Sequence, residues 1–188
     1  MENSTRSKES LVQLLDEAVG ADCTETCCEN IKRVLEDAFG AGTDFLPELF
    51  LQPVSEGYAR RLFHKDPDGR YSVVVMVWGV GQGTPLHDHA GRWCVECVYS
   101  GRIKVDSFDM KSGKEEGIVQ FEPMTTVHAG VGEAGALIPP FEYHTIVNVQ
   151  DVPSVTIHVY AEELTECNVF VPVEGGYRKE TKQLAYSN

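Results

Sequence analysis

No run of apolar residues in this chain approaches the roughly 20 needed to cross a bilayer. None stands at its start either: residues 1–10 are polar and mixed in charge. A secretory leader needs an apolar segment behind a basic start, so no leader is expected. Positive charge is scarce. Against 16 Lys and Arg stand 29 Asp and Glu, a net charge of −13 spread along the chain rather than gathered in a tail. Such a surface repels phosphate backbones and anionic lipid heads, so neither nucleic acid nor membrane is an expected partner. Internal repeats and low-complexity tracts are missing as well. Cysteine is present at six positions, Cys23, Cys27, Cys28, Cys94, Cys97 and Cys167. In a chain of 188 residues without a leader, reduced thiols in a cytoplasmic protein are the better reading than a disulfide framework.

The 42% hydrophobic content supports a sizeable core in a single domain. Leu11, Leu14, Leu15 and Val19 recur at helical spacing over residues 8–19, with Gly20 as a stop. Ile31, Val34, Leu35 and Phe39 repeat the pattern over 26–39, ended by Gly40. Residues 47–53 break it. From residue 71 onward the texture is that of short strands punctuated by Gly, Pro, Asp and Asn, at 71–78, 93–99, 101–108, 125–129, 136–138, 143–149, 154–160 and 168–171. Many short strands at regular spacing predict a mainly β fold, a closed barrel or jelly roll with short N-terminal helices on one side. The expected layout is a helical part over 1–50, a barrel over about 55–172, and a polar tail over 173–188 that is ordered by docking.

The most informative segment is Gly81, five residues, His87-Asp88-His89, four residues, Cys94, six residues, Gly101. In extended chain, side chains two apart share a face, so His87 and His89 present two imidazoles together. His144, between Pro139 and Asn148, is the third candidate. Three neutral imidazoles suit a divalent ion of intermediate softness. Asp88 faces the opposite way and orients the turn. Glu96 shares a strand face with Cys94 and is the competing ligand, or else a buried carboxylate in need of a partner. His64 and His128 lack neighbours at ligand spacing. Cys97 points away from Cys94, and the Cys23, Cys27 and Cys28 cluster lacks a second ligand pair, so packing is its expected role.

These two blocks resemble the paired motifs of the cupin superfamily, with Cys94 where the first motif carries Glu and Phe141 where the second carries Gly. Adding Tyr58-Ala59-Arg60 upstream and Thr156-Ile157-His158-Val159-Tyr160 downstream gives a pattern similar to the thiol dioxygenases, most closely the cysteine dioxygenase family, over about residues 45–170. The resemblance implies one Fe(II) per chain on His87, His89 and His144. It implies a substrate clamp at Arg60 and Tyr58, and a catalytic group of Tyr160, His158 and Thr156. It also implies a thioether between Cys94 and Tyr160. The implied reaction is cysteine catabolism: a small thiol, best matched by L-cysteine, and O2 give cysteine sulfinic acid in a cytoplasmic monomer. Three departures stand out. Thr156 replaces the family Ser, Trp93 precedes Cys94, and Glu96 occupies an apolar position.

Physical chemistry supports several of these roles. Arg60 offers a rigid fork of donors suited to a carboxylate, which Lys does not reproduce. Tyr58 can hydrogen-bond substrate or oxygen. His158 can hold the Tyr160 hydroxyl through Thr156 or water. Cys167 is placed at the pocket mouth by resemblance alone. Other readings stay open. One is another thiol acid, such as 3-mercaptopropionate or mercaptosuccinate, with Arg92 available for a second carboxylate. A peptide bearing an N-terminal Cys is another, although it would leave Arg60 idle. The rest are a non-catalytic cupin, or a zinc or manganese isomerase with Glu96 as its only candidate base.

Overall fold

The computed structural model describes residues 8–21, 23–40, 46–111 and 117–187. Most of the polar start and Asn188 therefore lie outside the described residues. Helices α1 (Lys8–Val19) and α2 (Thr24–Phe39) form where the 3.6-residue spacing places them. Each buries one stripe: Leu11, Leu15 and Ala18 on the first, and Cys27, Cys28, Ile31, Leu35, Ala38 and Phe39 on the second. Cys23 is exposed and Cys27 and Cys28 are core residues, the packing role expected of them.

Among the described residues, ten strands follow a 3-10 turn at Glu48–Leu51. They are β1 (Ala59–Lys65), β2 (Tyr71–Trp78), β3 (Cys94–Ser100), β4 (Arg102–Lys111), β5 (Ile118–Gly130), β6 (Ala134–Leu137), β7 (His144–Asn148), β8 (Ser154–Ala161), β9 (Glu166–Val173) and β10 (Gly176–Gln183). One antiparallel sheet runs β1-β2-β8-β3-β6 and the other β7-β4-β5-β10-β9. All eight residues of β2 are buried, because the sheet is covered on both faces. Val73, Val75 and Val77 join Val155, Ile157 and Val159 of β8 and Val95 and Cys97 of β3 in the cluster beneath the helices. The alternate residues, Met76, Trp78, Tyr160, Cys94 and Val98, pack with Ile103 of β4 and Ile146 of β7 from the second sheet. Strand alternation thus sends Thr156, His158 and Tyr160, together with Cys94 and Glu96, to the face between the sheets.

Every expected strand has a counterpart, and β5 is longer than its pattern suggests. Two strands were not expected. In β1, Arg60, Arg61, His64 and Lys65 interrupt the apolar alternation, yet the strand pairs with β2 along its length. The Tyr58-Ala59-Arg60 motif accordingly opens the first strand instead of preceding it. In β10 the sequence is almost wholly polar, and pairing with β9 over eight residues supplies the order. Beyond it the chain docks as expected. Leu184 and Tyr186 pack on the cluster between the sheets, and the Ser187 amide donates to the Arg60 carbonyl at 2.7 Å.

Two motif residues prove to be architectural. Asn148 donates through Nδ2 to the carbonyls of Trp78 (3.0 Å), Gly79 (3.1 Å) and Val152 (2.9 Å). Its Oδ1 accepts from Ser154 Oγ at 3.0 Å, tying β7 to β2 and β8. Gly101 turns the chain from β3 to β4 with φ +78°, and a side chain there would collide with Ser154. Gly101→Ala is expected to lose about 1–3 kcal/mol of stability, read as a fall of several degrees in the thermal midpoint. Gly57→Ala, at φ +69° but in open space, should lose less.

Candidate metal centre

His87 and His89 sit on an extended loop rather than in a regular strand. Backbone exchange with His144 fixes its position: His87 N–H donates to His144 O at 3.1 Å and His144 N–H to His87 O at 3.2 Å. Asp88 points away, as its alternation requires. Its Oδ1 accepts from the amides of Ala90 and Asn168, both at 2.9 Å, and its Oδ2 from Asn168 Nδ2 at 2.8 Å. That anchors the loop to β9 and holds Ala90 at φ +53°.

The three imidazoles converge. One ring nitrogen from each of His87, His89 and His144 lies within 4.8 Å of the other two, and among the described residues no other such cluster of ligand groups occurs. His87 Nδ1 lies 3.1 Å from Pro85 O, and His144 Nδ1 lies 2.8 Å from Glu142 O. Both are therefore N–H donors, which leaves each Nε2 with a lone pair. His144 Nε2 and His89 Nδ1 are buried without a hydrogen-bond partner. Burial, aided in His89 and His144 by neighbouring imidazoles, holds all three below the usual histidine range and so neutral. Neutral rings with unsatisfied buried nitrogens suit a divalent ion.

Around them is a cavity of about 20 Å³, lined by Tyr58, Arg60, Met76, Trp78, His158, Tyr160, Leu164, Cys167 and Leu184 as well as the three His. Arg60, on β1, is buried. Its Nη2 donates to Leu164 O at 2.6 Å and its guanidinium lies 4.7 Å from the centre of the Tyr186 ring, while Nε has no partner. Tyr58 stacks at 4.5 Å on Trp78. The Trp78 indole N–H donates to Thr156 Oγ1 at 2.9 Å, and that oxygen is 2.7 Å from His158 Nε2. His158 stacks on Tyr160 at 5.8 Å and is held down to about 3 by burial. The structure thus links Thr156 to His158 directly.

Cys94 and Tyr160 are paired across β3 and β8 and both are buried. Burial raises both groups well above their ordinary ranges, and a hydrogen bond from Tyr160 partly offsets this for the thiol. Glu96 does face the interior. Its Oε2 lies 3.5 Å from His158 Nδ1 and 4.0 Å from His144 Nε2, but it accepts no hydrogen bond and stands outside the three-nitrogen cluster. With both imidazoles neutral, neither approach is an ion pair, and burial pushes the Glu96 carboxyl up to about 8. A separate cleft of about 640 Å³ between β3–β6 and β4–β5 reaches this region at Glu96.

The structure brings the three imidazoles, Arg60, Tyr58, His158 and Tyr160 to one cavity, with Thr156 bonded to His158 and Cys94 paired with Tyr160 beside it. The sequence pattern misses Trp78, whose inward face follows from alternation along 71–78, and the residues 184–187, for which no local signal exists. Arg92 is engaged elsewhere, with Nε 3.2 Å from Glu162 Oε2.

Comparison with known proteins gives one family match, "Cysteine dioxygenase type I", over residues 47–172. Cysteine dioxygenase type 1 of Rattus norvegicus is 23% identical over 177 residues, covering 94% of this chain and 84% of its own. The Homo sapiens protein of the same name is 22% identical over 184 residues, with the same coverage. Among solved structures, a protein with a double-stranded β-helix domain from Klebsiella pneumoniae is 20% identical, with a TM-score of 0.45, and covers 74% of this chain and 99% of its own.

Proposed function

The chain belongs to the cysteine dioxygenase type I family, and on that footing we propose that it oxidises L-cysteine to cysteine sulfinic acid with Fe(II) held by His87, His89 and His144. That it is a metal-dependent thiol dioxygenase rests on the family match and the three-imidazole cluster together. The observation that carries the reading is the trio of neutral imidazoles, two of them with an unsatisfied buried nitrogen, with no acidic group in its cluster. Iron in that setting supplies open positions for a thiolate and for dioxygen. Sulfur gives up four electrons, dioxygen accepts them, and both oxygen atoms end on sulfur, so no outside reductant enters.

The chain's own residues bind, orient and shield. Arg60, which lines the buried cavity and has Nε unpaired, receives the substrate carboxylate as a charge-assisted pair. Tyr58, Trp78, Met76, Leu164 and Leu184 wall the cavity and exclude water and outside thiols. Thr156, bonded to the Trp78 indole, fixes the ring of His158, which in turn stacks on Tyr160 and orients its hydroxyl toward the reacting sulfur. The two sheets are read as the walls of a closed cupin barrel, and the protein as a cytoplasmic monomer.

The direct test is oxygen uptake by the iron-loaded protein with L-cysteine, with mass detection of a product heavier by two oxygens. Absence of uptake, or full activity with the iron replaced by zinc, would overturn the reading. Cross-strand partners have Cβ atoms about 5 Å apart, close enough for Cys94 Sγ to meet the Tyr160 ring. The thioether is thus expected to form during turnover, with dioxygen as the oxidant that takes one hydrogen from the Cys94 thiol and one from the Tyr160 ring. Intact mass of the wild-type chain should then fall two hydrogens below the sequence mass, and the Cys94→Ala chain should match its own.

A further inference from the structure

Glu96 is a polar group of the interior that the reaction does not yet use. It is buried, its Oε2 accepts no hydrogen bond, and it is aimed at the ring nitrogens of His144 and His158. A desolvated carboxyl without a donor is expensive, so a donor that arrives with the substrate gains from it. Other acidic groups facing the adjoining cleft have partners: Glu36 lies 3.8 Å from Lys32, and Glu133 accepts from the Gly130 amide at 2.5 Å. Among the described residues, Glu96 is the carboxyl of that cleft left with an unmet oxygen.

Its position matters as much as its state. Strands β1, β2, β8 and β3 are successive neighbours, with Arg60 on the first and Glu96 on the last. Backbones three intervals apart are roughly 14 Å from each other. Both side chains project to the face between the sheets, as that of Tyr160 does. The interior therefore has a guanidinium on one side and a carboxyl on the other, with the histidine rings beside the carboxyl.

We propose that Glu96 determines substrate specificity, accepting a hydrogen bond from the amino group of a thiol whose carboxylate rests on Arg60. The pocket then selects thiols carrying both amino and carboxylate groups over thiol acids that lack the amine. This rests on the function proposed above and extends it to a position where the family pattern has an apolar residue.

The test is anaerobic calorimetric titration of the iron-loaded protein with L-cysteine and with 3-mercaptopropionate, for wild type, Glu96→Gln and Glu96→Leu. The expected result is a preference for L-cysteine that shrinks at least about tenfold in Glu96→Leu, chiefly through weaker cysteine binding, with Glu96→Gln between them because its amide oxygen still accepts. A preference unchanged within about twofold in both variants overturns the proposal and assigns the selectivity to the metal alone. Should Glu96→Leu not fold, Glu96→Met, which keeps the length of the side chain and likewise lacks the acceptor oxygen, decides by the same criterion. Binding is read without oxygen, so the assignment of Glu96 fails here while a failure of the proposed reaction shows as absent oxygen uptake.

Discussion

His144→Ala is expected to empty the metal centre and bring oxygen uptake with cysteine to background. His144 Nε2 is a buried nitrogen with a lone pair and no partner, and its Nδ1–H is committed to the Glu142 carbonyl 2.8 Å away. The ring is thus pre-set to ligate and has nothing else to do at that nitrogen. Removing an outer partner of a metal ligand typically weakens binding about 10–100-fold, so deleting a ligand should lower metal affinity by about a thousandfold or more. Metal analysis of purified protein checks this directly, from one ion per chain in wild type to almost none in the variant. His128→Ala on the exposed part of β5 is the control and should keep both metal and activity. A variant lacking His144 that still held one ion per chain would remove the basis for the whole site.

Arg60→Ala should act on substrate and leave the metal in place. A buried charge-assisted pair of this kind is worth about 2–4 kcal/mol when truncated, which is roughly 30- to 1,000-fold in substrate affinity. Anaerobic titration with cysteine measures the affinity, and KM should rise in step. Arg60→Lys keeps the charge but not the fork that also reaches Leu164 O, so it should recover only part of the loss. The contrast between the two variants is the informative part. His144→Ala loses metal and activity together, whereas Arg60→Ala keeps full metal content and loses affinity. Unchanged cysteine kinetics in Arg60→Ala would remove Arg60 from the clamp.

Much of this site is legible in the amino-acid sequence because its parts obey period two. His87 and His89 share a face by spacing alone, Asp88 takes the opposite one, and Glu96 follows Cys94 inward on β3. The helices are legible for the same kind of reason, through an apolar stripe at 3.6-residue spacing. What escapes is order that comes from tertiary pairing. Strand β1 carries four basic or imidazole residues and still forms, since β2 supplies its hydrogen bonds and its Arg60 and Arg61 are buried by neighbouring layers. Strand β10 has no apolar alternation to read, apart from Tyr177, which packs on Phe121 at 5.4 Å. The His87–His89 loop looks like a strand in sequence but makes only isolated bridges, because its partners, His144 and Val169, come from two different strands.

Residues 184–187 brace the guanidinium clamp from 127 positions downstream: the Arg60 amide donates to Ser187 Oγ at 3.0 Å, and Tyr186 underlies its side chain. The hydrogen bonds that position the rings of His87 and His144 come from Pro85, Glu142 and each other's backbone, not from this brace. This asymmetry means that proteolytic nibbling back through Tyr186 would yield an enzyme loaded with metal yet poor at capturing its substrate.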